Sequence, residues 1–324
     1  MFSLEHLHIY KPIHFKNNKG LSIRLDDLPH QDKKGYLVDS RKDAFALIQY
    51  GSVAFEGGYG TLQMCERSDL SGSKQAIVKI PRHGADLGPE CLIQILARDT
   101  LSEKGLGWAV PTVYDLFSKN NEICFSMEFI KGDFPYVYLQ EVDNPALFFF
   151  QILEQICVFL HILEIRINLD HRDLKANNIY IRPKSCNVSI DLSGVVHIID
   201  APFQVILLDF GFACLGNEKR ISKINLDMNT FSNLDPCPKE GRDLFHLISS
   251  FWSIPSIRNR MPEWAQKEID SWFMDGKRNY SKLIKNRKDP DWTYLVTQDP
   301  TFTYPMLSPL RLLKRIQQLK SKCQ

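Results

Sequence analysis

The chain holds eight cysteines but no CxxC pair. Zinc sites usually draw on close-spaced thiolates, so zinc ligation by cysteine is not expected. Several cysteines sit inside apolar runs, Cys124 in EICFSMEF and Cys157 in QICVFL among them. They read as reduced core residues of a cytosolic-type compartment. An excess of charge of either sign is also lacking, with 40 Lys and Arg against 38 Asp and Glu. The net value is only +2 over 324 residues, so nothing polycationic argues for nucleic acid. The opening MFSLEHLHIYKPIHFKNN lacks the basic-then-apolar order of a secretory signal. A clean apolar run of about 20 residues, the length that spans a bilayer, is missing too. The greasiest stretch, ALFFFQILEQICVFLHIL (146–163), is interrupted by Gln151, Glu154, Gln155 and His161 and reads as a buried amphipathic helix. Internal repeats and low-complexity segments are absent. The expected location is cytoplasmic, with the nucleus left open, and no membrane span is expected.

What is present is an ordinary globular composition, 44% hydrophobic and 24% charged, long enough for two domains or lobes with separate cores. Residues 1–45 are mixed and polar, and read as an N-terminal extension with one or two strands. From Ile48 the texture changes. SVAFEGG, GTLQMC and QAIVKI are short, apolar and partly β-branched, and predict consecutive antiparallel strands. GPECLIQILARDTL has helical periodicity with Pro89 near its first turn. PTVYDLFSKNNEICFSMEF predicts a hairpin turning at SKNNE. After KGDFPY the pattern becomes helical, then NNIYI, NVSIDL, VVHIID and QVILLDF form a second strand cluster, and residues 240–324 return to helix.

Four stretches carry chemistry. FEGGYGTLQMC places Gly57, Gly58 and Gly60 between two strands, where the missing Cβ lets backbone N–H groups approach an anion; a glycine hairpin turn is the plain alternative. No helix follows the glycines, so this is no dinucleotide-binding fingerprint, and no GK[ST] makes it a Walker loop. AIVKI sets Lys79 among apolar strand neighbours, where a buried ammonium needs an anion; Glu90, opening the next helix, is the candidate. LDHRDLKANNIYI (169–181) crowds His171, Arg172, Asp173, Lys175 and Asn178 between greasy flanks. Asp173 could accept a proton from a hydroxyl, Lys175 could steady a phosphate and Asn178 could bind a cation. An Asx-rich turn is the bland alternative. VILLDFGFACL ends an apolar strand at Asp209, a suitable magnesium ligand.

The order of these stretches resembles the eukaryotic-type protein kinase family from about residue 50 to at least 250, with HRDLKxxN and DFG complete. The resemblance implies an α+β, two-lobed protein-kinase-like fold: a small antiparallel-sheet N-lobe with one helix (about 46–127), a hinge (about 128–134) and a larger, mainly helical C-lobe (about 135–324). It implies ATP and Mg2+ as cofactors and transfer of the γ-phosphate to Ser/Thr hydroxyls of a protein substrate. In that scheme Gly57, Gly58, Tyr59 and Gly60 cover the phosphates, and Lys79, paired with Glu90, holds the α- and β-phosphates. Leu62 and Ile77 roof the purine, Tyr180 floors it, Met127 is the gatekeeper, and the backbone from Glu128 to Ile130 bonds the adenine edge. Asn178 and Asp209 ligate magnesium, Asp173 orients and deprotonates the acceptor, and Lys175 steadies the moving phosphoryl group. Asp243 stands where the family ties a long helix to the catalytic loop. Arg172 stands where the family senses an activation-loop phosphate, with Ser222, Thr230 and Ser232 as candidate sites.

The departures are specific. Phe55 replaces the first glycine of the loop, Ile77 replaces the usual Ala, and Gln94, one turn after Glu90, takes a normally apolar position. No APE follows DFG. The 30 residues between Asn178 and Asp209 exceed the usual spacing and predict an extended or extra β-hairpin. Two rival readings stay open: a small-molecule phosphotransferase of the aminoglycoside-kinase type, and a pseudokinase scaffold. The sequence leaves the oligomeric state open.

Overall fold

The computed structural model describes residues 25–215, 238–275, 278–286, 297 and 307–323. Seven strands make up the first part: β1 (His30–Gln31), β2 (Tyr36–Val38), β3 (Ala44–Glu56), β4 (Gly60–Asp69), β5 (Gly72–Pro81), β6 (Val113–Lys119) and β7 (Glu122–Glu128). The three apolar runs after Ile48 fall on β3, β4 and β5, and the SKNNE turn joins β6 to β7. Asn120 and Asn121 both take positive φ there, 52° and 65°, as a tight hairpin turn requires and asparagine tolerates.

The small antiparallel sheet with one helix, expected as the N-lobe of a two-lobed protein-kinase-like fold, is overturned. The strands close into a barrel in the order β1-β2-β3-β4-β5-β7-β6. Closure rests on β1, antiparallel to β2 and parallel to β6 through the pair His30–Ser118. Ser118 N donates to Pro29 O at 2.8 Å. A two-residue polar strand carries no hydrophobic period, so the sequence pattern could not announce the closure. Leu37, Ala46, Ile48, Cys65, Ala76, Val78, Phe117 and Cys124 form one apolar cluster of the barrel. Leu28, Leu87, Cys91, Ile95, Val113, Leu116, Ile123 and Phe125 form a second, where the helix α1 (Gly88–Ser102) packs.

The barrel also buries charge. Arg67 Nε and Nη2 donate to the two oxygens of Asp115 at 2.6 and 2.8 Å. Asp69 accepts from Arg67, and Ser126 Oγ donates to Asp115. Arg67 and Asp115 are 5% and 4% exposed, so bidentate geometry has to offset the desolvation of both ions.

The second part is built on α3 (Pro145–Ile167), preceded by α2 (Pro135–Glu141). Asn144 caps α3 by accepting Leu147 N at 3.0 Å, and Asn168 ends it in the left-handed region. α3 is long and apolar enough to cross a membrane, yet 83% of its apolar window is buried inside the protein. It is buried on nearly every side, not along one amphipathic stripe, because α1, the last helix (Pro309–Lys320) and the strands β11 (Val195–Ala201) and β12 (Gln204–Leu207) all pack on it. The hairpin expected between Asn178 and Asp209 is there, as β10 (Cys186–Leu192) paired with β11 over seven residue pairs. β8 (Leu169–Asp170) pairs with β13 (Cys214–Leu215), and β9 (Ile179–Arg182) with β12. Among the described residues, α4 (Arg242–Trp252), α5 (Pro255–Arg258), α6 (Glu263–Trp272) and α7 (Ser281–Asn286) follow, ahead of the helix Pro309–Lys320.

The reading of every cysteine as reduced is corrected at one position. Cys214 is disulfide-bonded, whereas Cys65, Cys91, Cys124, Cys157, Cys186 and Cys323 are free. Cys214 lies in an apolar context like theirs, so texture alone did not separate it.

The buried ion pair sets a test of the barrel. Asp115→Ala leaves Arg67 charged without its bidentate partner and should lower stability by about 3–5 kcal/mol. The double variant Arg67→Met/Asp115→Leu should recover most of that loss. Urea midpoints of the three proteins check both outcomes.

Candidate active site

Lys79 projects from β5, and two carboxylates meet it. Its Nζ lies 2.5 Å from Glu90 Oε1 on α1 and 3.0 Å from Asp209 Oδ1, two residues beyond β12. The contact joins the barrel to the second part of the chain. Burial opposes the ammonium, but Glu90 and Asp209 outweigh it and raise the Lys79 pKa above its ordinary value. Burial pushes Glu90 up to about 7, against the opposing pull of Lys79. Although its side chain is 43% exposed, Asp209 is partly desolvated by its surroundings, and the Lys79 ammonium outweighs that cost and holds its carboxyl below its ordinary value. The start of α1 is fixed by Asp86, whose carboxylate accepts Gly88 N at 2.9 Å.

The loop after β8 carries the second group. Lys175 Nζ lies 3.0 and 2.9 Å from the two Asp173 oxygens. Asn178 Nδ2 donates to Asp173 O at 2.8 Å and to Asp173 Oδ2 at 2.9 Å. Burial raises the Asp173 pKa, Lys175 opposes it, and the charge of Asp209 adds to the rise. The two groups therefore sense each other. Leu208 N donates to Asn178 O at 2.9 Å, and Leu208 O accepts from His171 Nε2 at 3.0 Å. A carbonyl only accepts, so this bond fixes the His171 tautomer. Burial lowers the pKa of His171, keeping it neutral, and its ring lies 4.9 Å from that of Phe210.

Two non-glycine residues here hold positive φ, Arg172 at 64° and Asp209 at 60°. Such backbone persists only where its surroundings over-determine it. Asp243, in the first turn of α4, supplies part of that constraint, accepting His171 N at 2.7 Å and Arg172 N at 2.8 Å. Burial drives the Asp243 carboxyl well above its ordinary range, and the neighbouring Asp170 adds to this.

The glycine turn lies over the same place. Gly57 N donates to Gly60 O at 2.9 Å, and Arg82 Nη1 donates to Gly57 O at 3.2 Å. A Cβ on Gly60 would stand 3.0 Å from Lys79 Cε, so this glycine gives the lysine stem its room. Gly58 has open space around it, and the Tyr59 ring meets Phe212 edge-on at 5.5 Å. Leu62 is opposite Lys79 across β4–β5, and Ile77 is opposite Met127 across β5–β7. Leu62, Ile77 and Met127 are half-buried and Ile130 is buried.

The Glu128 N–H donates to Thr112 O at 2.8 Å, and its carboxylate takes Arg182 Nη2 at 2.6 Å. Tyr180 OH donates to Gly132 O at 2.8 Å, which ties the ring to the crossover between the two parts. Ser222, Thr230 and Ser232 lie outside the described residues.

Among the described residues no group of three or more His, Cys, Asp or Glu gathers to hold a metal. The pair Asn178 and Asp209 still suits a hard divalent cation. The Asn178 amide nitrogen is spent on Asp173, leaving its oxygen as the donor, and the Asp209 side chain is 43% exposed. Sequence reasoning missed Asp170, a buried carboxylate beside Asp243, and the Glu128–Arg182 pair. The first was visible as an acid between Leu169 and the HRD run; the second joins residues 54 apart and left no local signal.

No family model matches the chain. Over 122 residues it is 25% identical to a protein of Invertebrate iridescent virus 3 named "Probable kinase 098L", which takes in 37% of this chain and 24% of that protein. The chain thus spans about a quarter of that relative's length. The likeness points to a kinase and goes no further.

The Glu90 carboxyl gives a pH test. Its folded pKa stands above its ordinary value of 4.5, so the folded state holds the proton more tightly than the unfolded state. Stability should fall as pH rises from 4.5 to about 7 and then level off. Glu90→Gln should flatten that slope, read from thermal melts across the range. An unchanged slope would place the titration elsewhere.

Proposed function

We propose that the protein is an ATP- and divalent-cation-dependent phosphotransferase acting on Ser/Thr hydroxyls of protein substrates. The observation that carries the reading is the gathering of Lys79, Glu90 and Asp209 within 3.0 Å contacts, beside an Asp173 that feels the Asp209 charge. The viral relative named as a kinase supports the same class of chemistry.

In this reading Lys79 neutralises non-transferred phosphate oxygens, with Glu90 keeping its stem in place. Gly57, Gly58 and Gly60 let backbone N–H groups approach the phosphates, and Tyr59 shields them. Leu62, Ile77, Met127 and Ile130 line the base, over the ring of Tyr180. Asn178 and Asp209 hold a divalent cation, Mg2+, which offsets phosphate charge when bound.

Asp173 has the geometry of a positioning base. One carboxylate is braced by Asn178 and Lys175, and burial makes it a better proton acceptor. It orients the acceptor hydroxyl in line with the γ-phosphorus and takes its proton as the O–P bond forms and the bond to ADP breaks. Phosphoryl transfer needs little basicity and much positioning, because its transition state is loose. The Lys175 side chain is 42% exposed, so it can turn from Asp173 toward the moving phosphoryl group.

Radiolabelled ATP with casein or histone as acceptor tests the proposal. Wild type should label protein, Asp173→Asn should not, and both should melt within a few degrees of each other. Lys79→Met should cut turnover at least about a hundredfold. Nucleotide binding without transfer would favour a scaffold, and label confined to small hydroxyl compounds would move the acceptor to another class.

A further inference from the structure

The helix α1 carries Glu90, and its packing against the barrel is mostly apolar: Cys91 and Ile95 meet Leu87, Val113, Leu116, Ile123 and Phe125. Apolar contact is non-directional. It holds a helix to a surface but sets its rotation and slide only loosely. Glu90 needs a close setting, because its partner Lys79 is only 8% exposed and a carboxylate withdrawn from it would stay buried alone.

One turn on, Gln94 is 2% exposed. Its Nε2 donates to Pro111 O at 3.0 Å and lies 3.7 Å from Met127 Sδ. Pro111 precedes β6, and Met127 lies near the end of β7 opposite Ile77. A single buried amide thus ties the Glu90 helix to two strands that border the proposed base-binding wall. Proline lacks an N–H and its carbonyl here is met by this side chain, so an apolar residue at 94 would leave that oxygen without its donor.

We propose that Gln94 is a positioning residue. Its amide fixes the register of α1, and through it the Lys79–Glu90 contact, while holding the Met127 side chain at the back of the nucleotide site. This rests on the nucleotide-binding reading above only for its effect on catalysis; the effect on the Lys79–Glu90 contact stands apart from it.

Two readouts separate these. The first is independent of activity: labelling of Lys79 by an amine-acylating reagent, followed by peptide mass spectrometry, in wild type, Gln94→Leu and Gln94→Glu. Leucine keeps the volume and loses the donor, so Lys79 labelling should rise at least threefold while the thermal melt stays cooperative. The second is ATP kinetics against pH. Gln94→Leu should lower kcat/KM for ATP at least tenfold at every pH. Gln94→Glu should approach wild type at acid pH, where a protonated carboxyl can donate to Pro111 O, and lose activity as pH rises.

Labelling and kinetics of Gln94→Leu both within twofold of wild type would overturn the proposal. Changed labelling in a protein whose wild type transfers no phosphate would uphold the positioning role and overturn the functional reading instead. Loss of kcat/KM in Gln94→Glu that is constant with pH would also count against the amide as the acting group, since it would point to packing.

Discussion

The junction between the two parts of the candidate site turns on one ammonium group. Lys79 reaches from a barrel strand to Glu90 on the neighbouring helix and to Asp209 at the end of a strand in the other part of the chain. β5 and α1 follow one another in sequence, but Asp209 lies 130 residues from Lys79, so the trio is complete only once both parts have folded and docked. Its energetics are conditional. A desolvated lysine is costly alone, and the two carboxylates are costly alone; each is tolerable because the others are there. That interdependence makes the trio a poor source of net stability and a strict reporter of correct geometry.

The loop bearing Asp173 is held by a different logic. Arg172 and Asp209 occupy backbone conformations that cost energy for side-chain-bearing residues. Asp243 answers the first through two backbone N–H groups, and His171 and Leu208 brace the approach to the second. The strain thus lies beside the carboxylates of the candidate site, and the hydrogen bonds that offset it come from Asp243 on the buried helix α4 and from Leu208, which follows the buried strand β12. Rigidity at the loop is borrowed from the core.

Local chemistry was readable in the sequence where it was dense. Glycines between strands, a lysine in an apolar strand and the HRDLKxxN run each marked their own position, and the structure brings Lys79, Glu90, Asp209, Asp173, Lys175 and Asn178 into two adjoining groups. Strand runs with clear apolar texture were readable for the same reason. The closure of the barrel was not, because it turns on a two-residue strand and one parallel pairing with Ser118. Gln94 was visible only as a misfit; its partners, Pro111 and Met127, are 17 and 33 residues away. The disulfide at Cys214 had no compositional mark. Features set by long-range geometry stayed hidden, whatever their importance.

A ring of strands has no loose margin. A small open sheet offers unpaired backbone along its border, where a foreign strand can add itself; seven strands paired edge to edge into a closed ring largely withdraw that invitation. The hairpin β10–β11 is the contrast. It stands as a two-stranded unit whose outer face turns Val196 and Ile198 to solvent, with Asp191 opposite Val196 and Asp200 two residues beyond Ile198. Acidic neighbours on that face hinder the stacking of like on like, so the extra hairpin carries its own deterrent to self-association.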